Sequence, residues 1–259
     1  MGGYYYYAGD DINECGGRKR MKFINIYPVT NSEEYLKQDM NMFLTHLVLE
    51  DKIYRETAKK SSGYKILDNS LIELGGSVLL EDVIKAAEMI GADEIVLPDV
   101  FRDGMTTFEL AKKYLEKYEE ELSKYKVMAV VHGKDITEWM VSYLLLENLP
   151  GVDVLGIPKV LDVDMKEYGG RPGIVNEFME HCLKEIHLLG LWYNIRELKD
   201  YRYPNKIRSV DTSLMNLLSI QGRDFTSSRK EGEQIDLVYD HVFYLENAER
   251  AHEYVSRLT

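Results

Sequence analysis

The chain has 259 residues and a mass of 30.0 kDa, enough for one large α/β domain or two small ones. Its hydrophobic fraction of 45% and charged fraction of 29% exclude a mainly disordered chain, and no apolar run, Val141–Leu146 included, approaches a membrane span. With 32 basic and 44 acidic residues the net charge is −12, so a nucleic-acid partner requires a local basic patch.

Residues 1–20 are rich in Gly and Tyr, lack periodicity and precede a second methionine, Met21. They read as a flexible N-terminal extension, with a Tyr-rich binding arm as the alternative. No basic, apolar leader opens the chain, so a cytoplasmic location is expected. Two cysteines, Cys15 and Cys182, provide no disulfide framework and cannot close a zinc site.

From Met21 a strand–helix rhythm repeats. Continuous apolar runs, the pattern of strands covered on both faces, predict strands at Phe23–Tyr27, Lys65–Asp68, Glu94–Asp99, Val127–Gly133, Val154–Lys159, Glu185–Leu191 and Ile207–Thr212, with a weaker eighth at Ile235–Asp240. Helices are expected over Glu33–Leu49, around Val83, Ala87 and Ile90 up to Gly91, and through Phe108, Ala111 and Leu115 after a capping box at Thr106 and Glu109. Another is expected near Gly173–Leu183, with Pro172 in its first turn. No linker divides residues 21–259. Seven or eight such units in one chain predict a single-domain (β/α)8 TIM-type barrel, with an irregular last unit as one form of it. An open doubly wound sheet is the alternative.

The chemistry gathers at the strand ends. Asp68 and Ser70 close LDNS, Asp99 closes VLPD, His132 and Gly133 close VVHG, Lys159 closes GIPK and Asp211 closes SVDTS. In a barrel these ends converge on one mouth, where burial and mutual repulsion raise at least one carboxyl pKa. An aspartate after a strand is often only a turn or cap residue. Here Asp103-Gly104, Thr212-Ser213 and Asn69-Ser70 supply other turn formers, which frees Asp99, Asp211 and Asp68. His132 reads as a buried structural residue or as a presenter of a ring nitrogen to a planar ligand, and His187, inside an apolar strand, as structural. No metal-binding or phosphate-cradling motif is present, so neither a metal nor a cofactor is expected. Lys159 would suit a Schiff-base aldolase if desolvated. Between Arg196 and Lys230 eight basic residues stand against four acidic ones. That run reads either as a solvated face or as a phosphate-binding patch of Arg196, Lys199, Arg202, Lys206 and Arg208.

In order and spacing, these strand ends resemble the tRNA-guanine transglycosylase superfamily, most nearly its short phage-type branch that inserts 7-deazaguanines into DNA. The match runs over Ile66–Ser213. ILDNS-x-x-E resembles the segment whose aspartate serves in proton transfer, which implies that role for Asp68, with Ser70 beside it at the base. ADEIVLPDV is similar to the segment whose aspartate reads the guanine-like edge, implying Asp99. VMAVVHGKD resembles the strand that usually ends in Gln-Gly, placing His132 and Gly133 at the base. VLGIPKV sits where a Gly-Gly-Leu strand end donates backbone hydrogen bonds; Gly156 matches, while Pro158 and Lys159 depart. IHLLGL is similar to the family's Leu-Met-Gly strand, and SVDTS falls where the nucleophilic aspartate belongs, implying Asp211.

The cysteine-rich zinc site of the tRNA enzymes is absent, and the chain is shorter than theirs. Both departures favour DNA over RNA. The resemblance implies exchange of guanine in DNA for a preQ0-like 7-deazaguanine through a covalent aspartyl-nucleoside. Partners would be DNA with a flipped or single-stranded guanine, the free 7-deazaguanine, and a second copy or accessory modification proteins; the location would be a host cytoplasm if the chain is phage-encoded. Other readings are an RNA-acting relative, a barrel lyase or aldolase using Lys159, and a non-catalytic nucleic-acid-binding subunit.

Overall fold

The computed structural model describes residues 20–178, 180–230 and 242–258. The first nineteen residues of the expected extension, and the expected strand at Ile235–Asp240, lie outside them.

Among the described residues eight strands carry the architecture: β1 (Lys22–Asn25), β2 (Met40–Leu44), β3 (Tyr64–Asp68), β4 (Glu94–Val96), β5 (Lys126–Val130), β6 (Val154–Pro158), β7 (Glu185–Leu189) and β8 (Ile207–Thr212). Between and after them run α1 (Thr45–Glu50), α2 (Lys52–Lys60), α3 (Leu71–Leu74), α4 (Leu80–Ile90), α5 (Gly104–Lys117), α6 (Glu119–Leu122), α7 (Ile136–Glu147), α8 (Leu161–Asp164), α9 (Gly170–Phe178), α10 (Leu214–Ile220) and α11 (Val242–Ser256). The strands form one parallel sheet in the order β1-β8-β7-β6-β5-β4-β3-β2. Since β1 also lies against β2, this is a (β/α)8 TIM-type barrel, nearly closed. Among the described residues no helix is long and apolar enough to cross a membrane.

Two sequence expectations are corrected. The eighth strand is Met40–Leu44, inside the segment expected to be a helix over Glu33–Leu49; a 3-10 segment at Val29–Lys37 precedes it and α1 follows it. Apolar residues at 40, 42, 43, 44, 47 and 48 satisfy both periods locally, and pairing with β3 decides between them. The capping box at Thr106 and Glu109 is not formed either. Asp103 caps α5 one turn earlier, accepting from the Thr106 N–H at 2.9 Å.

Alternation along the strands sorts the side chains. Ile24, Met42, Ile66, Val96, Met128, Val130 and Val154 fill the barrel, while Phe43, Leu67, Ile95, Leu155, Leu188 and Val210 pack outward against the helices. β8 breaks the alternation once. Ile186 pairs with Ile207 but His187 pairs with Ser209, so Arg208 is an extra residue, a β-bulge. Beyond it Asp211 stands level with Ile24 and shares its inward face.

The seam between β1 and β2 is joined by a side chain. The Gln38 carboxamide accepts from the Asn25 N–H at 2.9 Å and donates to the Asn25 C=O at 3.0 Å. It thus supplies both bonds a neighbouring strand would make. A second bond from Gln38 Nε2 to Asn41 Oδ1 at 3.0 Å ties the clasp to β2.

Candidate active site

At the C-terminal ends of the strands lies a cavity of about 580 Å³. Its wall includes Asp68, Glu73, Asp99, His132, Lys159 and Asp211, with Phe101, Trp192 and Tyr193 among its aromatic lining. A cavity of this size suits a drug-sized or nucleoside-sized ligand. The three aspartates expected at one mouth do stand together in it.

Asp211 extends from β8 with its two oxygens in different surroundings. Oδ1 accepts from the Gly190 N–H at 3.0 Å and lies 3.0 Å from His187 Nε2. Oδ2 has no hydrogen-bond partner among the described residues, and Asp211 belongs to the cavity wall. At Gly190 the chain turns away from β7 at φ +74°, a conformation glycine adopts without strain. The turn is pinned from behind by Arg171, a fully buried guanidinium donating to the carbonyls of Ile157, Leu189 and Gly190 and to Glu197.

Asp68 ends β3. Its Oδ2 accepts from the Ser70 N–H at 2.7 Å, and Ser70 itself adopts the left-handed region at φ 60°. Burial pushes the Asp68 carboxyl well above the usual carboxylate range, and the negative charges of Glu73, Asp211 and Asp99 push it further; the Ser70 N–H opposes them. Glu73 on α3 is itself raised, first by its enclosure and then by Asp211. Two carboxyls biased towards protonation therefore flank one that is gripped by donors, the asymmetry that separates acid from nucleophile.

Asp99 is more fully engaged than the sequence suggested. Oδ1 accepts from Asn69 Nδ2 and Ser77 Oγ, both at 2.8 Å, and Oδ2 lies 2.6 Å from His132 Nε2. Of a carboxylate's roughly four lone-pair directions, three are occupied. Asp99 thus retains about one acceptor direction for a ligand.

Several expected contacts are not made at the cavity. A Cβ on Gly133 would stand 2.4 Å from the Trp139 backbone N, so this glycine admits α7 rather than a ligand. Gly156 lies within the barrel, where a Cβ would press on Leu189, Met128 and Val130. Ser70 is buried and works on Asp68 and on the His46 N–H, at 3.3 Å, rather than on the cavity. Lys159 does line the cavity, but its ammonium is clasped by Glu197 and Asp162.

The expected basic patch divides along the barrel axis. Arg208 points to the opposite end of the barrel, bonded by both terminal nitrogens to Glu94 at 2.6 and 3.0 Å, with only 12% of its side chain exposed. It is no phosphate contact. Lys206 immediately precedes β8 and bonds the Glu180 carbonyl, and Arg202 pairs with Glu177 near the end of α9, both away from the mouth. Lys199 is exposed over the Tyr254 ring. Arg196 is exposed and reaches Thr226. From the same run, Arg229 and Lys230 are the residues in the cavity wall.

Sequence reasoning missed Glu73 and His187. Glu73 ended the quoted ILDNS-x-x-E segment without a role, and His187 was read as structural. The signal for His187 was parity: it lies three residues before Gly190 on the inward face of β7. Among the described residues no three His, Cys, Asp or Glu side chains are grouped to hold a metal ion. Searched against known proteins, the chain matches no protein-family model and no curated protein.

Proposed function

We propose that the protein is a guanine transglycosylase that exchanges guanine in DNA for a 7-deazaguanine through a covalent intermediate on Asp211. The observation that carries this reading is the inequality of two neighbouring carboxyls. Asp211 is held by donors on one oxygen and open on the other, and Asp68 is pushed towards its protonated form.

Base exchange needs both. As the N-glycosidic bond breaks, the sugar acquires oxocarbenium character, and Asp211 Oδ2 forms the bond to C1′ on the face opposite the departing base. Asp68 gives its proton to the leaving guanine, then takes one from the incoming 7-deazaguanine, whose nitrogen displaces Asp211 and regenerates the N-glycosidic bond. Two displacements retain the configuration at C1′. Asp99 accepts one hydrogen bond from the guanine-like edge. The base must leave the stack to reach the cavity, and Phe101, Trp192 and Tyr193 offer faces on which it and its neighbours can stack. Arg229 and Lys230 supply positive charge at the wall of an otherwise acidic protein.

The clasp of Lys159 between Glu197 and Asp162 weighs against the aldolase reading, since a carbonyl substrate would have to break both ion pairs to reach the amine. The test is covalent trapping. Protein mixed with guanine-containing DNA, with and without a 7-deazaguanine, should give a band shifted on a denaturing gel that disappears in Asp211→Ala. A band with matched RNA alone would move the substrate to RNA. No band with either nucleic acid would overturn the reading.

A further inference from the structure

Base exchange uses Asp211 but gives no task to His187, Ser209 or Arg208, all of which face into the barrel. Together they form one line along its axis. Arg208, bonded to Glu94 at the N-terminal end, places Nε 3.1 Å from Ser209 Oγ. Ser209 Oγ lies 2.7 Å from His187 Nδ1, and His187 Nε2 lies 3.0 Å from Asp211 Oδ1. Ser209 and His187 are completely buried.

The direction of each bond follows from the chemistry of its ends. A guanidinium has donors and no acceptor, so Arg208 Nε donates and Ser209 Oγ accepts. The hydroxyl proton then has one further partner within reach, His187 Nδ1. Pointed anywhere else it would be an unsatisfied buried donor. It is therefore given to Nδ1, which must be bare, and the ring proton sits on Nε2, where it is donated to Asp211 Oδ1. The bulge makes this line possible, because it lets the sequence neighbours Arg208 and Ser209 both face inward.

We infer that His187 is a positioning residue for Asp211, held as its Nε2–H tautomer by a donor direction that begins at Arg208 at the far end of the barrel. The inference rests on the base-exchange reading for its consequence: with two donors on Oδ1 and, among the described residues, none on Oδ2, the carboxylate is held against rotation and Oδ2 is the oxygen that attacks C1′.

The tautomer is measurable without any assay of activity. In protein labelled with 15N in its imidazoles, the His187 ring should show a proton-bearing Nε2 and a bare, hydrogen-bonded Nδ1. The signal is assigned by its loss in His187→Gln or, should that variant not fold, by replacing the other five histidines in turn. In Ser209→Ala the Nδ1 resonance should move as its donor is lost. Formation of the DNA adduct should slow on the order of tenfold to a hundredfold, with DNA affinity unchanged. A proton on Nδ1 in the wild type, or an unmoved Nδ1 resonance in Ser209→Ala, overturns the inference. If the signature is as expected but the wild type forms no adduct, base exchange fails and the donor line stands. If the adduct forms but Nδ1 carries the proton, the line fails and base exchange stands.

Discussion

The two ends of this barrel hold their acidic side chains in different ways. At the N-terminal end, Glu94 is fully buried yet bonded twice to Arg208 and once to the Tyr64 hydroxyl at 2.8 Å, while Glu185 pairs with Lys126 at 2.6 Å and meets Arg208 at 3.5 Å. Burial and the Glu94 charge push the Tyr64 phenol up, which keeps it a donor. Glu94 and Glu185 there each have a cation within reach. At the C-terminal end, Asp68, Asp99, Asp211 and Glu73 surround one cavity, and the three aspartates are bonded to histidines, backbone N–H groups and the Asn69 and Ser77 side chains rather than to Lys or Arg. In the first arrangement each buried charge depends on its partner, so that losing one strands the other; in the second, burial and mutual repulsion bias Asp68 and Glu73 towards protonation. On the proposed reading, the difference separates a structural rim from a reactive one.

The sharpest way to break this comparison is to remove the group assigned the most chemistry. Asp211→Ala is expected to lower base exchange by on the order of 10⁴-fold or more, measured by incorporation of labelled 7-deazaguanine, with the fold intact by circular dichroism. The counterpart at the other rim is Arg208→Met, which strands Glu94 without its cation. Urea unfolding should show a loss of about 3–5 kcal/mol; a loss below 1 kcal/mol would deny the rim its structural role.

Asp68→Asn tests both ideas at once. Exchange should fall on the order of 10²–10⁴-fold, while stability at neutral pH should rise. Asp68 titrates higher in the folded chain than in the unfolded one, so it favours folding only while protonated in both states. That contribution disappears as pH climbs through the raised folded value. Asparagine does not titrate, so its advantage in urea melts should shrink as pH is lowered towards the ordinary aspartate range. A smaller effect is expected from Glu73→Gln. Removing that charge should lower the Asp68 carboxyl and move the corresponding limb of the exchange-rate profile to lower pH; an unmoved limb would detach Glu73 from Asp68. Smallest of all, Arg202→Ala removes an exposed pair with Glu177 and should change stability by less than about 0.5 kcal/mol and leave the salt dependence of DNA binding as it was.

Much of the barrel was legible because buried parallel strands are continuous apolar runs ending in polar residues, and those ends pointed to Asp68, Asp99 and Asp211 before any coordinates. What escaped depends on pairing between distant segments. MNMFL is compatible with helix until β3 supplies its partner. The bulge at Arg208 exists only relative to β7, and no local pattern distinguishes it from an ordinary strand residue. For the same reason Arg208 looked like part of a basic surface. Its partner Glu94 is 114 positions away in sequence. His187 looked like core because its acceptor comes from the next strand.

The clasp at Gln38 bears on how a rigid wall admits a bulky guest. Around most of the ring, widening the barrel means breaking main-chain ladders. Between β1 and β2 it means releasing the amide of one side chain. Ile26, Met42 and Leu44, which belong to the cavity wall, lie beside that junction. A bulky guest pressing on that wall would therefore meet its softest junction between β1 and β2, one strand away from Asp211 on β8.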